Sequence, residues 1–289
     1  MDLEIRKVTR QDPEYPALLQ TIKNPPSALY YKGDLSPLQE PCLAIVGSRK
    51  ASSYGSWAAY ELARRAAAYG ITVVSGMAYG IDAAAHTGAL DGGGKTVAVF
   101  GCGVDICYPS SHRKLLGRIL QQGAVLSEFQ PGTKPHPAMF PVRNRIISGL
   151  CQGTVIAEAA LKSGSLITAE LAAEQGREVF AVPGNINQVY SFGTNKLIRD
   201  GAIPIVSFDD VLEIFGLDRR AEVKRKAPKP LLSPQEQRIA DALRREGELS
   251  LNRLAEILQL PPGDLAAEVT YMEVKGLVSS QAGRIFLNE

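Results

Sequence analysis

Short apolar runs recur through the middle of the chain, and each is followed by a turn of small residues and then by a helical stretch. Each run is a nearly continuous series of Val, Ile, Leu and Ala rather than an alternation of polar and apolar residues. Strands of this kind are buried on both faces, as in a parallel sheet covered by helices. Seven such runs are present: CLAIVGS (42–48), ITVVSG (71–76), TVAVFG (96–101), AVLSE (124–128), TVIAEA (154–159), EVFAVPG (178–184) and IPIVSF (203–208).

The segments between these runs have the amphipathic pattern of helices. SWAAYELARRAAAYG (56–70) and SLITAELAAEQG (165–176) each close on a glycine at the position that favours a helix C-cap. Alternating apolar strands and amphipathic helices predict an α/β fold with a doubly wound, mostly parallel, Rossmann-like sheet of about seven strands. We assign this domain to residues 41–216.

The segments that flank this domain differ from it in composition. Prolines interrupt residues 1–40, which predicts an arm laid against the domain with little regular structure beyond a short helix. Residues 217–232, LDRRAEVKRKAPKPLL, are basic and lack an apolar period, which predicts a linker. The prolines of the arm are Pro13, Pro16, Pro25, Pro26 and Pro37.

The tail, residues 233–289, has a pattern of its own. Ser233 and Pro234 begin a helical pattern, and two further helical segments follow in LSLNRLAEILQL and PGDLAAEVTYMEVKG. The last segment, LVSSQAGRIFLNE, predicts a two-stranded hairpin around Ala282 and Gly283. Three helices and a hairpin predict a small winged-helix domain, whereas a plain three-helix bundle leaves the hairpin unexplained.

The composition is that of an ordinary globular protein, with 45% hydrophobic and 21% charged residues. We expect a cytoplasmic protein without a membrane anchor, because the sequence lacks both a long apolar run and a signal-peptide pattern. Its four cysteines form no CxxC pair, and we expect reduced thiols, no metal site and no cofactor. From residue 231 onward there are 6 Lys/Arg against 9 Asp/Glu, and before it 26 against 21, so the larger domain is the better candidate for a polyanion.

Ligands of an open parallel sheet bind beyond the carboxyl ends of its strands, so the turn after each strand is the place to search. Gly47, Ser48 and Arg49 directly follow the first buried run, and an arginine there is expected to point into the crevice, where a phosphate is its natural partner. The G-x-G-x-x-G fingerprint is absent, which gives dinucleotide binding little support.

The segment KPHPAMFPVRNRIISG (134–149) is the most unusual stretch of the chain. It combines basic and aromatic residues with a predicted helix that begins at about residue 143: Lys134, Phe140, Arg143, Asn144 and Arg145. Basic groups neutralise phosphates, an exposed phenyl ring stacks on a base, and an amide bonds to base edges or backbone. The alternative is a helix start with solvated arginines and a core phenylalanine.

Lys162, Ser163 and Gly164 follow the fifth run and predict a helix N-terminus. Ser163 or Ser165 suffices as an N-cap, yet the same free amides beside a lysine suit a DNA phosphate, and both interpretations stay open.

These motifs, in this order, resemble the DprA/Smf DNA-processing family over residues 41 to about 208: GSR, SGMAYGID, GCGVDICYP, SEF, FPVRNRIISGL, EAALKSGSLITAELAAEQGREVFAVPGN and GTNKLIRDGA. The tail is similar to the winged-helix domain of many members. The resemblance implies a homodimer, formed through the Rossmann-like domain, that binds single-stranded DNA, protects it and loads the recombinase RecA onto it in natural transformation. It implies binding without catalysis.

The resemblance also implies a DNA pocket that includes Arg49, Phe140, Arg143 and Asn144, with Lys134 and Arg145 as neighbours. A position that is basic in some members is Pro137 here, which puts that contact in doubt. The N-terminal helical domain of many members is expected to be absent or reduced.

Two other functions compete with this hypothesis. A nucleotide hydrolase of the lysine-decarboxylase-like group needs an acid and base pair, for which Glu128 and Glu158 are the candidates, but the signature of that group is missing. The alternative role of Glu128 is pairing with Arg143 or Arg145. A sequence-specific tail needs a basic recognition helix, whereas 261–276 is acidic, which favours contact with a protein.

Overall fold

The structure is a computed structural model that describes residues 3–216, 233–274, 277–281 and 283–287. The chain forms two compact units, Met1–Arg225 and Lys226–Glu289. The predicted linker, 217–232, lies outside the described residues.

The first unit is built on a nine-stranded sheet of order β1-β2-β6-β5-β4-β3-β7-β8-β9. Strands β3 to β9 run parallel, and each coincides with one of the seven apolar runs, so the predicted doubly wound α/β fold is confirmed. The strands are β1 (Arg6–Thr9), β2 (Ala28–Gly33), β3 (Cys42–Val46), β4 (Thr72–Ser75), β5 (Thr96–Val99), β6 (Ala124–Ser127), β7 (Gly153–Ile156), β8 (Glu178–Ala181) and β9 (Ile203–Pro204).

Strand β3, in the middle of the parallel part of the sheet, shows why its apolar run is continuous. Leu43 and Ile45 pack into one core cluster, while Ala44 and Val46 pack into another, because successive side chains point to opposite faces of a sheet. Both faces are therefore covered. The helices of this unit are α1 (Ala17–Gln20), α2 (Ser53–Ala68), α3 (Ile81–Asp91), α4 (Arg113–Gln122), α5 (Met139–Gly149), α6 (Gly164–Glu174), α7 (Phe192–Arg199) and α8 (Asp209–Leu212).

The N-terminal segment is more regular than its prolines predict. The short helix α1 is present, but β1 and β2 also extend the sheet as an antiparallel pair beside β6. Leu19 of α1 is fully buried, and the Tyr15 hydroxyl donates to the Pro26 carbonyl at 2.7 Å. The prediction of little regular structure beyond a helix is wrong, because prolines placed between strands leave the strand pairing intact.

The second unit has the predicted winged-helix architecture. Its core joins all three helices to a small sheet of order β10-β12-β11. A capping box begins its first helix: the Glu236 N–H donates to Ser233 Oγ at 3.1 Å, and the Ser233 N–H donates to Glu236 Oε2 at 2.7 Å. The elements are α9 (Pro234–Glu246), β10 (Leu249–Ser250), α10 (Leu251–Leu258), α11 (Pro262–Val274), β11 (Val278–Gln281) and β12 (Arg284–Leu287).

Two kinds of feature are absent from the described residues. No helix there is long and apolar enough to cross a bilayer. No group of three or more His, Cys, Asp or Glu side chains there is placed to hold a metal ion.

Candidate functional site

A cleft opens beyond the carboxyl ends of the central strands, where parallel strands bring their following turns together. It is bounded by the β3–α2 turn, the start of α5 and the start of α6. Nine of the eleven residues predicted for a site line it: Gly47, Ser48, Arg49, Phe140, Arg143, Asn144, Lys162, Ser163 and Gly164.

The β3–α2 turn is held against the neighbouring strand. The Ser48 N–H donates to the Glu158 carbonyl at 2.8 Å, and the Lys50 N–H donates to Ser48 Oγ at 3.1 Å. A Cβ at Gly47 would lie only 2.8 Å from the Glu158 carbonyl oxygen, so the close approach of the two segments requires glycine. Arg49 and Lys50 are consequently exposed at the mouth of the cleft.

Phe140 lies beside a second aromatic ring and beneath a cation. The Arg49 guanidinium carbon is 5.0 Å from the centre of its ring, and the Tyr108 ring is stacked with it at 5.6 Å and 21°. The Phe140 ring was expected to be exposed, but it is half-buried and already contacts Arg49 and Tyr108. Tyr108 is 44% exposed. The more open aromatic face of the cleft belongs to Tyr108.

A narrow recess lies under these rings. Its volume is about 40 Å³, and Tyr79, Phe100 and Gly101 contribute to its lining. That volume holds roughly a few water molecules and no nucleobase.

Arg143 departs most from the expected geometry. Helix α5 begins at Met139 rather than near residue 143, so Arg143 lies in its second turn and projects inward, only 4% exposed. Its Nη1 donates to the carbonyls of Gly76, at 2.9 Å, and of Val99, while Nε donates to Asn144 Oδ1 at 3.3 Å. The arginine thus forms the floor of the cleft instead of reaching out from its rim.

One acidic residue, Asp82, opposes the positive charge of Arg143 in the floor of the cleft. Burial lowers the pKa of Arg143 to about 10, opposed by the negative charge of Asp82, so the guanidinium stays charged at neutral pH. Burial raises the pKa of Asp82, while Arg143 and the N–H groups of Gly76 and Ala78, at 3.2 and 3.3 Å, favour its charged form. The Asp82 carboxylate thus holds the β4–α3 turn beneath the cleft.

Arg145 lies only two residues from Arg143, on the other side of α5. It forms a bidentate ion pair with Glu128, in which Nη1 donates to Oε1 at 2.8 Å and Nη2 donates to Oε2 at 2.7 Å. The interpretation of Glu128 as the partner of an arginine is confirmed. Arg145 and the exposed Lys134 are the two predicted site residues that do not line the cleft.

The N-terminus of α6 forms the opposite wall. Ser163 caps the helix by accepting from the Ser165 N–H at 3.4 Å, as the capping interpretation predicted, and Asn144 Nδ2 donates to the Gly164 carbonyl at 3.3 Å. Lys162 is exposed beside this cap. The helix dipole and the lysine both favour an anion at this wall.

Glu158 and Glu128, the two candidates for a hydrolase acid and base, are both bonded to structural partners outside the cleft. Glu158 is 4% exposed, and its side chain accepts from the N–H of Ser52, at 2.9 Å, and from the Ser52 hydroxyl. It anchors the start of α2, as Glu128 anchors Arg145. Neither carboxylate lines the cleft.

Two family models match this chain. The one described as DNA recombination-mediator protein A matches residues 6–216, and the DprA winged helix domain matches residues 223–284. This chain belongs to the DprA/Smf family of DNA-processing proteins.

Curated relatives and solved structures agree with this assignment. DNA processing protein DprA of Streptococcus pneumoniae is 47% identical over 201 residues, covering 70% of this chain and 71% of the relative. Protein Smf of Escherichia coli is 37% identical over 278 residues, 93% of this chain and 74% of the relative.

The X-ray structure of the S. pneumoniae DprA has a TM-score of 0.69 and 43% identity, covering 73% of this chain and 74% of that one. A structure of Helicobacter pylori DprA, described for its single-stranded DNA binding mode, has a TM-score of 0.67 and 31% identity, covering 74% of this chain and 96% of that one.

Lys50, Tyr108 and Tyr190 are among the residues lining the cleft of this DprA/Smf member that the sequence did not single out. Signals for the first two were present. Lys50 directly follows Arg49, and Tyr108 is the last residue but one of the strand-end motif GCGVDICYP, where an aromatic residue precedes proline. Tyr190 had no local signal, because the loop that carries it reaches the cleft only through the fold.

Proposed function

We propose that this chain binds single-stranded DNA in the cleft, without reading its sequence and without catalysis. One observation carries the proposal. Within the described residues, Arg49, Lys50 and Lys162 form no ion pair, although all three are exposed around a single cleft. Cations left unpaired beside aromatic rings suit a strand whose phosphates and bases are both accessible.

Each wall of the cleft has a distinct role in this proposal. Arg49, Lys50 and Lys162 bind phosphates, and the free amides at the start of α6 bind another beside Ser163 and Gly164. Tyr108 and Phe140 stack a base, with the Arg49 guanidinium adding a cation–π contact.

The floor of the cleft and the residues outside it contribute differently. Arg143, its charge opposed by Asp82, fixes the floor through backbone carbonyls, and Asn144 ties this floor to the start of α6. Gly47 and Ser48 let the strand approach the backbone closely. Arg145 and Lys134, outside the cleft, are expected to add little to affinity.

Salt titration tests the proposal. Binding of oligothymidylate should weaken steeply as salt rises, with a slope of about 0.7 in log–log units for each phosphate neutralised on a single strand. Arg49→Ala should reduce the slope by about that amount, whereas Lys114→Ala, an exposed lysine on α4, should leave it unchanged. Equal slopes for the two variants would overturn the assignment of the cleft.

We further propose that the bound strand is protected and passed to the recombinase RecA in the cytoplasm, as in natural transformation. The description of the matching family as a recombination mediator supports this role. The full chain should protect a single strand from nuclease and speed RecA filament assembly on strands coated with a single-strand-binding protein. The variant Arg49→Ala/Lys162→Ala should do neither; activity equal to that of the unmodified chain would contradict the proposal.

The proposed homodimer is best placed at the β9 edge of the sheet. Ile203 and Val206 are 36% and 81% exposed there, and Ile214 lines the same groove. An edge strand with exposed apolar neighbours suits pairing with a second copy. Val206→Arg should shift the sedimenting species from dimer to monomer at micromolar concentration, and an unchanged dimer would place the interface elsewhere.

A further inference from the structure

Two aromatic rings on the first turns of α2 lie outside the cleft. Tyr54 is 49% exposed and Trp57 is 61% exposed, and their rings stack with centroids 6.1 Å apart and planes inclined by 29°. Trp57 is the sole tryptophan of the chain. An exposed pair of large rings is costly to leave in water, so its presence on a helix surface indicates a binding function.

The aromatic pair is connected to the cleft by two contacts. Ser52, the N-cap of α2, is fixed to the side chain of Glu158, whose carbonyl accepts from the N–H of Ser48 in the cleft. The Tyr54 hydroxyl donates to the Pro183 carbonyl at 3.2 Å, which places Tyr54 against the loop after β8.

That loop continues to the cleft. Pro183 opens it, and Tyr190 near its end lines the cleft, with its carbonyl accepting from the Ala159 N–H at 2.8 Å. Asn195 fixes the loop through both backbone groups of Gly184, at 2.8 and 3.1 Å. The rings and the cleft therefore border the same well-anchored segment.

Charge near the aromatic pair favours an anion. About two turns beyond Trp57 on α2, Arg64 and Arg65 share the single carboxylate of Glu61, which leaves a net positive charge. Both arginines are 44% exposed in their side chains. Toward the cleft the nearest exposed cation along the chain is Lys50, which forms no ion pair within the described residues. Along the chain, the rings thus lie between Lys50 on one side and Arg64 and Arg65 on the other.

We propose that the Tyr54–Trp57 pair is a second contact for single-stranded DNA, on which bases that leave the cleft stack while Arg64 and Arg65 bind the adjoining phosphates. The inference rests on the proposed function, because it extends the path of the same strand. Stacking on an aromatic face tolerates every base, which fits a strand bound without sequence preference.

The position of the sole tryptophan provides a direct measurement. Single-strand binding sites hold about 4 to about 16 nucleotides, so we compare oligothymidylates of these two lengths. The short one is expected to fill the cleft alone, and the long one to reach Trp57 as well. The short strand should bind without changing Trp57 fluorescence, and the long strand should quench it at the same concentrations at which its binding saturates.

Substitution of the ring separates stacking from helix structure. Trp57→Ala should weaken binding of the long strand by roughly five- to hundredfold and leave the short strand unaffected. Trp57→Phe, the matched control, should stay within about twofold of the unmodified chain because a phenyl ring still stacks. Circular dichroism of the full chain should show the same helix content in all three proteins.

The outcomes distinguish this inference from the proposed function. If the long strand binds but neither quenches Trp57 nor responds to Trp57→Ala, the second contact is overturned and the cleft stands. If neither length binds the unmodified chain, the proposed function itself fails. If Trp57→Ala changes sedimentation of the free protein and not DNA affinity, the occupant of the patch is a second copy of the chain, and the inference is again overturned.

Discussion

The arginines of the cleft in the α/β unit and two exposed arginines of the winged-helix unit have opposite kinds of partner. In the winged-helix unit, Arg244 pairs with Asp241 at 2.9 Å and Arg253 with Glu256 at 2.8 Å, each one turn apart on the same helix. In the cleft of the α/β unit, Arg49 lies over an aromatic ring and Arg143 donates to backbone carbonyls. The local pairs are exposed and self-neutralised, whereas the cleft retains its positive charge.

This difference indicates which charges are available to a ligand. An exposed one-to-one ion pair at helical spacing contributes a few tenths of a kcal/mol and leaves little net charge for a polyanion, unlike Arg64 and Arg65, which share one carboxylate. A cation without an acidic partner, fixed near a helix N-terminus, keeps its full charge for an incoming phosphate. Net charge of the whole chain, +2, conceals this contrast.

The largest expected effect comes from removing two cleft cations. Arg49→Ala/Lys162→Ala should lower affinity for an oligothymidylate by roughly tenfold to a hundredfold, because two charge-assisted phosphate contacts are lost. Fluorescence anisotropy at low salt measures it. The charge-matched control Arg244→Ala/Arg253→Ala should change affinity by less than about twofold, since both residues are already neutralised. Similar losses in the two double variants would contradict the contrast between the units.

The next effect concerns stability at acid pH. All three histidines of the chain lie in the α/β unit, so only this unit is expected to lose stability through them. Burial lowers the pKa of His86 from 6.5 to about 3. Its Nδ1 is 2.7 Å from Thr96 Oγ1, whose hydroxyl donates to Val73, so Nδ1 carries the proton. Nε2 is buried without a hydrogen-bond partner in the described part of the chain.

Because the folded pKa is depressed, the unfolded chain binds more protons between pH 6.5 and about 3, and stability falls as pH falls through that window. The slope from His86 is about 1.4 kcal/mol per pH unit. Urea unfolding followed by Trp57 fluorescence reports on this unit, and His86→Asn should flatten the dependence. An unchanged slope in that variant would assign acid sensitivity to other groups.

The smallest expected effect is on the ion pair behind α5. Glu128→Gln should lower the free energy of unfolding by about 1 kcal/mol, because the Arg145 pair is mostly buried, and should leave DNA affinity unchanged. Glu256→Gln, the exposed counterpart on α10, should cost less than about 0.5 kcal/mol. Equal losses in urea unfolding would indicate that burial does not distinguish these pairs.

The strands of the α/β sheet were predictable because burial on both faces leaves a local signature. The same logic failed for β1 and β2. Strand β2 pairs with β6, more than ninety positions away along the chain, and β1 pairs with β2 at the edge of the sheet. At this end of the sheet the strands have a mixed composition without a continuous apolar run. The winged helix was predictable because its capping residues and terminal hairpin are local signals.

Sequence alone determined the fold class, the order of strand-end turns and the residue types gathered there, since apolar periodicity and turn chemistry are local properties of the chain. Tertiary structure decided what each side chain does. Two arginines two residues apart on α5 take opposite faces, so Arg143 becomes the buried floor of the cleft and Arg145 the partner of Glu128. Their spacing on a helix places them on opposite faces, but only long-range packing decides which face is buried under the cleft.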